Sequence, residues 1–295
     1  MRDTRFECVL DAKATLGEGP VWLPGERRLG WVDIHAGRLH RFDPATGTDA
    51  FVELGEPIGS VAPRAAGGFV AALKSGFWLL DDAGRRVRHL ADPLAGRAHL
   101  RMNDGRCDRQ GRFRAGAIDE SGTRRDAGLY LLEMEDGQAR CTAQLSDLTI
   151  SNGLAFSPDG RTMYHADTPT RTVRAFDHDP ATGAISNARV FHRFARDEGH
   201  PDGAAVDAEG GCWVALWGAG KVVRIAPGGG ITAELSLPAR CPTMPAFGGD
   251  DFRTLFVTTA RVDRPADELD ALPLSGGVFA MRMDVAGLPE TPFPG

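Results

Sequence analysis

Long hydrophobic runs are missing from these 295 residues. No apolar stretch approaches the ~18 residues of a membrane-spanning helix, and Met1-Arg2-Asp3-Thr4-Arg5 leads into no apolar segment. The expectation is a cytoplasmic protein without a membrane partner. Cysteine is scarce as well: Cys8, Cys107, Cys141, Cys212 and Cys241 are odd in number, widely spaced and form no Cys-x-x-Cys pair. That argues against a disulfide framework and against a thiolate metal site, and leaves small buried apolar residues. The 8 histidines show no His-x-x-x-His or His-Glu-x-x-His spacing, and no serine sits in a Gly-x-Ser-x-Gly elbow. A zinc-protease helix and a serine-hydrolase triad therefore drop out. Positive charge is in deficit, 34 Lys+Arg against 40 Asp+Glu for a net −6, which disfavours nucleic acid as a partner.

Glycine and proline are plentiful by contrast. The 37 glycines and 19 prolines are spread along the chain, as when many turns join short strands. The clearest unit runs from Ile150 to His165: Ser151-Asn152-Gly153, an apolar run Leu154-Ala155-Phe156, the turn Ser157-Pro158-Asp159-Gly160, and a second apolar run. Pro158 presets φ and Gly160 permits a positive one, so this is a hairpin with its turn encoded. The same grammar returns from Pro201-Asp202-Gly203 to Glu209-Gly210 and from Asn103-Asp104-Gly105 to Gln110-Gly111. A hairpin recurring every ~40–50 residues marks a repeat architecture.

Six copies can be traced, from Leu16–Glu53 through to Met244–Met281. The reading is an all-β, six-bladed β-propeller with four-stranded antiparallel blades, one domain over residues 1–295. Consecutive apolar residues, as in Val70-Ala71-Ala72-Leu73, suit strands buried on both faces between blades. The sixth copy has no evident fourth strand, so the N-terminal strand at Phe6–Leu10 is expected to close it. One short helix is expected at Ala266–Leu272 behind Pro265. The cluster Arg85-Arg86-Val87-Arg88 reads as a solvated strand edge.

Chemistry belongs where the copies differ. The first strand of each blade lines a propeller's bore and presents side chains at one mouth. The corresponding positions are Glu18, Ser60, Asn103, Asn152, Asp202 and Met244. Glu18, Asn103, Asn152 and Asp202 each precede Gly or Asp-Gly. A single Asn-Gly or Asp-Gly is an ordinary turn former; their return at one point of the repeat is the signal. Hard oxygen ligands converging on one axis suit a divalent cation such as Ca²⁺, Zn²⁺, Mn²⁺, Mg²⁺ or Fe²⁺, without choosing among them. His99 and His200 stand near Arg101 and Asp202 in sequence and are candidates to line the pocket. Trp217 is a candidate face for a sugar ring, with packing between blades as the alternative. His165 reads as a hydrogen-bonded core residue.

These residues also carry a family likeness. Gly17-Glu18-Gly19-Pro20-Val21-Trp22, Arg101-Met102-Asn103-Asp104-Gly105, Ser151-Asn152-Gly153-Leu154, Pro201-Asp202-Gly203, Leu216-Trp217-Gly218 and Phe247-Gly248-Gly249 follow one another in that order. In them the chain resembles the SMP-30/gluconolactonase family, which includes regucalcin and bacterial sugar lactonases. The resemblance implies metal-dependent hydrolysis of aldonolactones to aldonic acids, with a small-molecule sugar lactone as partner. It implies Glu18, Asn152 and Asp202 as metal ligands, Asp202 doubling as catalytic base, and Arg101 and Asn103 as contacts to substrate hydroxyls. Many members place a Glu on the strand after Gly116; this chain reads Asp119-Glu120-Ser121, and Glu120 is its candidate for that contact. The alternatives are a related propeller hydrolase of other lactones, esters or phosphotriesters, and a non-catalytic calcium-binding propeller. The sequence is silent on oligomeric state.

Overall fold

The computed structural model describes residues 5–295. They form six sheets of four antiparallel strands, a six-bladed β-propeller. In five blades the strands follow chain order from the bore outward, and the innermost are Gly17–Leu23, Ile58–Pro63, Leu100–Cys107, Ser151–Phe156 and His200–Val206. The sixth blade orders Pro242–Gly248, Thr254–Thr259 and Val278–Arg282 from the bore outward and takes Glu7–Leu10 as its outermost strand. Hydrogen bonds between the first and last strands of the chain thus close this blade.

Burial falls from the bore to the rim. Gly17–Leu23 and Ser151–Phe156 are buried along their whole length, whereas the outer strands Thr48–Glu53 and Arg86–Ala91 face solvent. The arginine cluster lies on that outer edge, where charge opposes strand addition. Between blades the packing is apolar: Phe77 of blade two meets Phe113 of blade three edge to face at 5.9 Å, both fully buried. Each such burial is worth roughly 1.5–3 kcal/mol. Trp22 stacks on Phe256 at 5.8 Å across the seam between blades one and six.

All six innermost strands share one irregularity. Their register to the next strand slips between Glu18 and Val21, Ile58 and Ser60, Met102 and Gly105, Asn152 and Ala155, Pro201 and Ala204, and Pro242 and Pro245. A bulge re-aims side chains that regular alternation would send elsewhere. Gly19 and Gly153 take positive φ of 54° and 64° there, so the glycines after Glu18 and Asn152 belong to bulges inside strands and not to hairpin turns. At Gly203 the need is steric: an added Cβ would lie 2.4 Å from the Met244 Cβ.

The hairpin turns at the far ends of these strands are held by aspartates. Asp108 Oδ1 accepts the backbone N–H groups of Gln110 and Arg112, while Oδ2 accepts Arg112 Nε at 2.7 Å and Arg114 Nη1 at 2.8 Å. Asp207 repeats the pattern with the N–H groups of Glu209 and Gly211, Trp213 Nε1 at 2.9 Å and Arg224 Nε at 2.7 Å. Arg114, fully buried, also donates to the Gly183 carbonyl at 2.6 Å, and Arg112 to that of Pro180 at 2.8 Å. Blade three is thereby tied to blade four.

Beyond Val278–Arg282 the chain runs as a strap across the far face of the ring. The N–H of Met283 bonds the Arg253 carbonyl and that of Gly287 the Phe252 carbonyl in blade six, and Ala286 accepts from Ala208 in blade five. Glu290 pairs with Arg106 at 2.7 Å. Phe293, fully buried, pairs with blade two through Pro63 and Ala65. The short helix spans Ala266–Ala271 with Pro265 at its N-cap. Among the described residues no helix is long and apolar enough to cross a membrane.

Candidate active site

A cavity of about 370 Å³ opens where the inner strands begin, a volume suited to a small ligand. Glu18, Asn103, Asn152 and Asp202 form its floor, each no more than 6% exposed. Its walls are Leu16, Ile118, Ile150, Val262 and Trp217, and His35, Glu120 and Asp263 stand at the rim. Below the floor the bore narrows to about 10 Å³ between Val21, Val61, Cys107, Met244 and Glu290 of the strap.

Glu18, Arg101, Asn103, Glu120, Asn152 and Asp202 all line this space. Ser60 and Met244, at the same point of the repeat, do not: Ser60 is fully buried with an unpartnered hydroxyl, and Met244 lies against Gly203 under the floor. His99 pairs with Asp126 at 2.6 Å and His200 contacts Arg171 at 3.1 Å, and neither lines the cavity. His165 is buried and shares a hydrogen bond with the Ser151 hydroxyl at 2.8 Å, a core role. His35, Ile118, Thr168 and Asp263 join the lining without any signal from the repeat. All four lie outside the innermost strands.

A chain of hydrogen bonds orients the floor. Arg101 Nη1 donates to Asn103 Oδ1 at 2.7 Å; a guanidinium only donates, so the Asn103 amide nitrogen must face away from it. That nitrogen donates to Asn152 Oδ1 at 2.7 Å, Asn152 Nδ2 to Thr168 Oγ1 at 2.9 Å, and Thr168 to the Pro201 carbonyl at 2.8 Å. The relay runs from blade three through blade four to the residue before Asp202. It leaves Asn152 Oδ1 one further lone pair.

Electrostatics at the floor are unfavourable as they stand. Burial and then the neighbouring Asp104 raise the Glu18 carboxyl far above the usual range; burial, then Glu18 and Asp104, do the same to Asp202. Asp104, chiefly through burial, moves up to about 6, and its Oδ1 is buried without a partner. Arg101 answers the charge of Glu18 and Asp202, and Arg106 that of Asp104. Burial lowers the Arg101 pKa to about 10, which keeps it protonated and excludes it as a base, and its Nε is buried without a hydrogen bond. Two buried carboxylates and an amide oxygen, with only Arg101 to offset their charge, are a donor set that fits a hard divalent cation. Another group, His99, Asp119 and Asp126, brings ligand atoms within 4.8 Å of one another. Asp119 is already occupied there: its carboxylate accepts the Ser121 hydroxyl and the backbone N–H groups of Thr123 and Arg124.

Residues 16–261 match the SMP-30/gluconolactonase/LRE-like region. The chain belongs to this family. Among its relatives in the family is the 6-deoxy-6-sulfogluconolactonase of Pseudomonas putida, 44% identical over 98% of this chain and 99% of the relative. Regucalcin of Xenopus laevis is 35% identical over the full length of both. The crystal structure of the calcium-binding protein regucalcin from Agrobacterium tumefaciens str. C58 superposes with a TM-score of 0.93 at 29% identity, covering 98% of this chain and 97% of that one. In this member of the family the strand Phe113–Asp119 turns Ile118 into the cavity. Glu120 follows the strand's end at the rim, 3.0 Å from Lys74 and 4.0 Å from Arg101 Nε.

Proposed function

We propose that this protein hydrolyses the ring ester of sugar lactones to open-chain aldonic acids. The observation that carries the reading is the pair of buried carboxylates, Glu18 and Asp202, beside Asn152 and the donor-rich Arg101 on the floor of a cavity of sugar size. The 6-deoxy-6-sulfogluconolactonase among its relatives supports the reading. A divalent cation held by Glu18, Asn152 and Asp202 supplies, when bound, Lewis-acid polarisation of the ester carbonyl and the charge that keeps both carboxylates ionised. Asp202 accepts a proton from the water that attacks the carbonyl carbon. The bond from that carbon to the ring oxygen breaks, the proton passes to the ring oxygen as it leaves, and the product is a hydroxy acid. Arg101 donates hydrogen bonds to substrate oxygens; Asn103, whose two N–H groups are taken by Asn152 Oδ1 and the Ser151 carbonyl, meets a substrate hydroxyl as an acceptor through Oδ1, and Glu120 accepts one from a hydroxyl at the rim.

Proton release from a panel of aldonolactones, read against the spontaneous rate, tests the reaction. Turnover above background that a chelator abolishes and a divalent cation restores is the expected result; a flat trace with every lactone sinks the proposal and leaves a binding propeller. Glu18→Gln is expected to lower bound metal and the metal-dependent rise in Tm, because an ion that binds only the folded state stabilises it by mass action. Unchanged metal content and melting would remove Glu18 from the ligand set. Arg101→Ala is expected to raise KM and blur the preference among lactones while metal content stays near wild type. Loss of the metal in that variant, with the metal retained in Asn152→Ala, would reverse the two assignments.

A further inference from the structure

Charge is distributed unevenly between floor and mouth. Arg101 is the one Lys or Arg among the lining residues. It lies deep, 5% exposed, with one nitrogen already donating to Asn103 and to the Met102 carbonyl. The rim carries one carboxylate that no salt bridge offsets. Glu120 stands there with Lys74 as its counter-ion, and Asp263 stands there with no hydrogen-bond partner among the described residues. His35, also without a hydrogen-bond partner among the described residues, completes the rim. Burial and then Arg101 lower its pKa, so the imidazole is neutral near pH 7 and offers one donor and one acceptor.

Asp263 is also held in an uncommon backbone state. Its φ is 55°, in the left-handed region that aspartate tolerates better than most residues. It follows Val262, a wall residue, in the loop between Thr254–Thr259 and the short helix. At the pocket mouth its carboxylate has no hydrogen-bond partner among the described residues and is open to a ligand.

This inference rests on the lactonase reading: with the ester carbonyl at the floor, the opposite end of the substrate lies at the rim. We propose that the site takes uncharged polyhydroxy lactones, and that Asp263 with His35 reads hydroxyls at the end remote from the ester, so that a lactone carrying a sulfonate or phosphate there is rejected. A carboxylate accepts hydrogen bonds from hydroxyls, whereas an anion at the rim meets the like charge of Asp263, which no salt bridge offsets as Lys74 offsets Glu120. The sulfonated substrate in the name of the Pseudomonas putida relative is of the class this rim disfavours.

The experiment compares kcat/KM for an uncharged hexonolactone and for its 6-sulfonate and 6-phosphate counterparts, in wild type and in Asp263→Asn. Asparagine keeps the size and also tolerates the left-handed backbone, so folding is not at stake. Wild type is expected to favour the uncharged lactone by at least about 10²-fold. In Asp263→Asn the KM for the uncharged lactone should rise by about tenfold, with kcat little changed, as a hydrogen bond to a charged acceptor is lost. The preference over the anionic lactones should fall in step. Equal or better turnover of either anionic lactone by wild type overturns the inference, as does an Asp263→Asn variant with unchanged KM and preference. Calorimetric binding of the corresponding non-hydrolysable lactams keeps the two readings apart. If no lactone is hydrolysed, the lactonase reading fails, yet preferential binding of the uncharged lactam that Asp263→Asn erodes upholds the charge selection. Equal binding of the lactams refutes it.

Discussion

Asp202→Asn is expected to yield a folded, at least partly metallated protein that hydrolyses lactones about 10²–10⁴ times more slowly than wild type. Asparagine keeps the shape and one oxygen at the floor, and the relay from Arg101 to Thr168 does not pass through Asp202. What disappears is the proton acceptor. Lost activity could also follow from lost metal, so turnover is measured at saturating Mn²⁺ or Ca²⁺ and normalised to bound ion. Turnover within about threefold of wild type would show that Asp202 is not the base. Glu120, which lines the cavity, would then be next. Asp119 would not, since it faces away from the cavity and its oxygens are engaged by the loop Ser121–Arg124.

The second large effect lies away from the chemistry. Asp108→Asn is expected to destabilise the fold by about 3–5 kcal/mol, because it strands the buried guanidinium of Arg114. For a chain of this size that lowers Tm on the order of 10 °C. Asp207→Asn should do less, since its Arg224 partner reaches solvent. The sign of the pH dependence follows from the same contacts. Burial pushes the Asp108 carboxyl up, but hydrogen bonds from His178, Arg114 and Arg112 outweigh it and hold the group well below the usual carboxylate range. A depressed pKa in the folded state contributes stability that is complete above the unfolded value near ~4 and is lost as pH falls toward the folded one. Wild type and Asp108→Asn should therefore melt furthest apart at neutral pH and converge below pH ~4. Melting curves that coincide at pH 7 would refute the clamp.

How much of this could be read from the chain depends on which residues the repeat constrains. Ser157-Pro158-Asp159-Gly160 names its own turn, and the phase of the copies carries Glu18, Asn103, Asn152 and Asp202 to one mouth. The dipeptide Asn152-Gly153 is less transparent, because the positive φ of its glycine serves a bulge as readily as a turn. Ser60 and Met244 share the phase but not the cavity, since phase sets the strand while the local bulge sets the direction of the side chain. His35, Thr168 and Asp263 escape sequence reading for the opposite reason. They sit on connections whose length and path differ from blade to blade, so no period points to them. The tail after Arg282 is equally opaque: Pro289, Pro292 and Pro294 forbid a regular strand, and its partners are scattered over blades two, three, five and six.

That strap fixes how the molecule can be handled. Arg64 Nε holds the Gly295 carbonyl at 2.6 Å, so the last residue lies beneath blade two, on the face away from the cavity. A tether or fusion partner joined after Gly295 would leave from the underside. On a sensor chip or a bead, a layer anchored in this way would present every mouth outward to the solution.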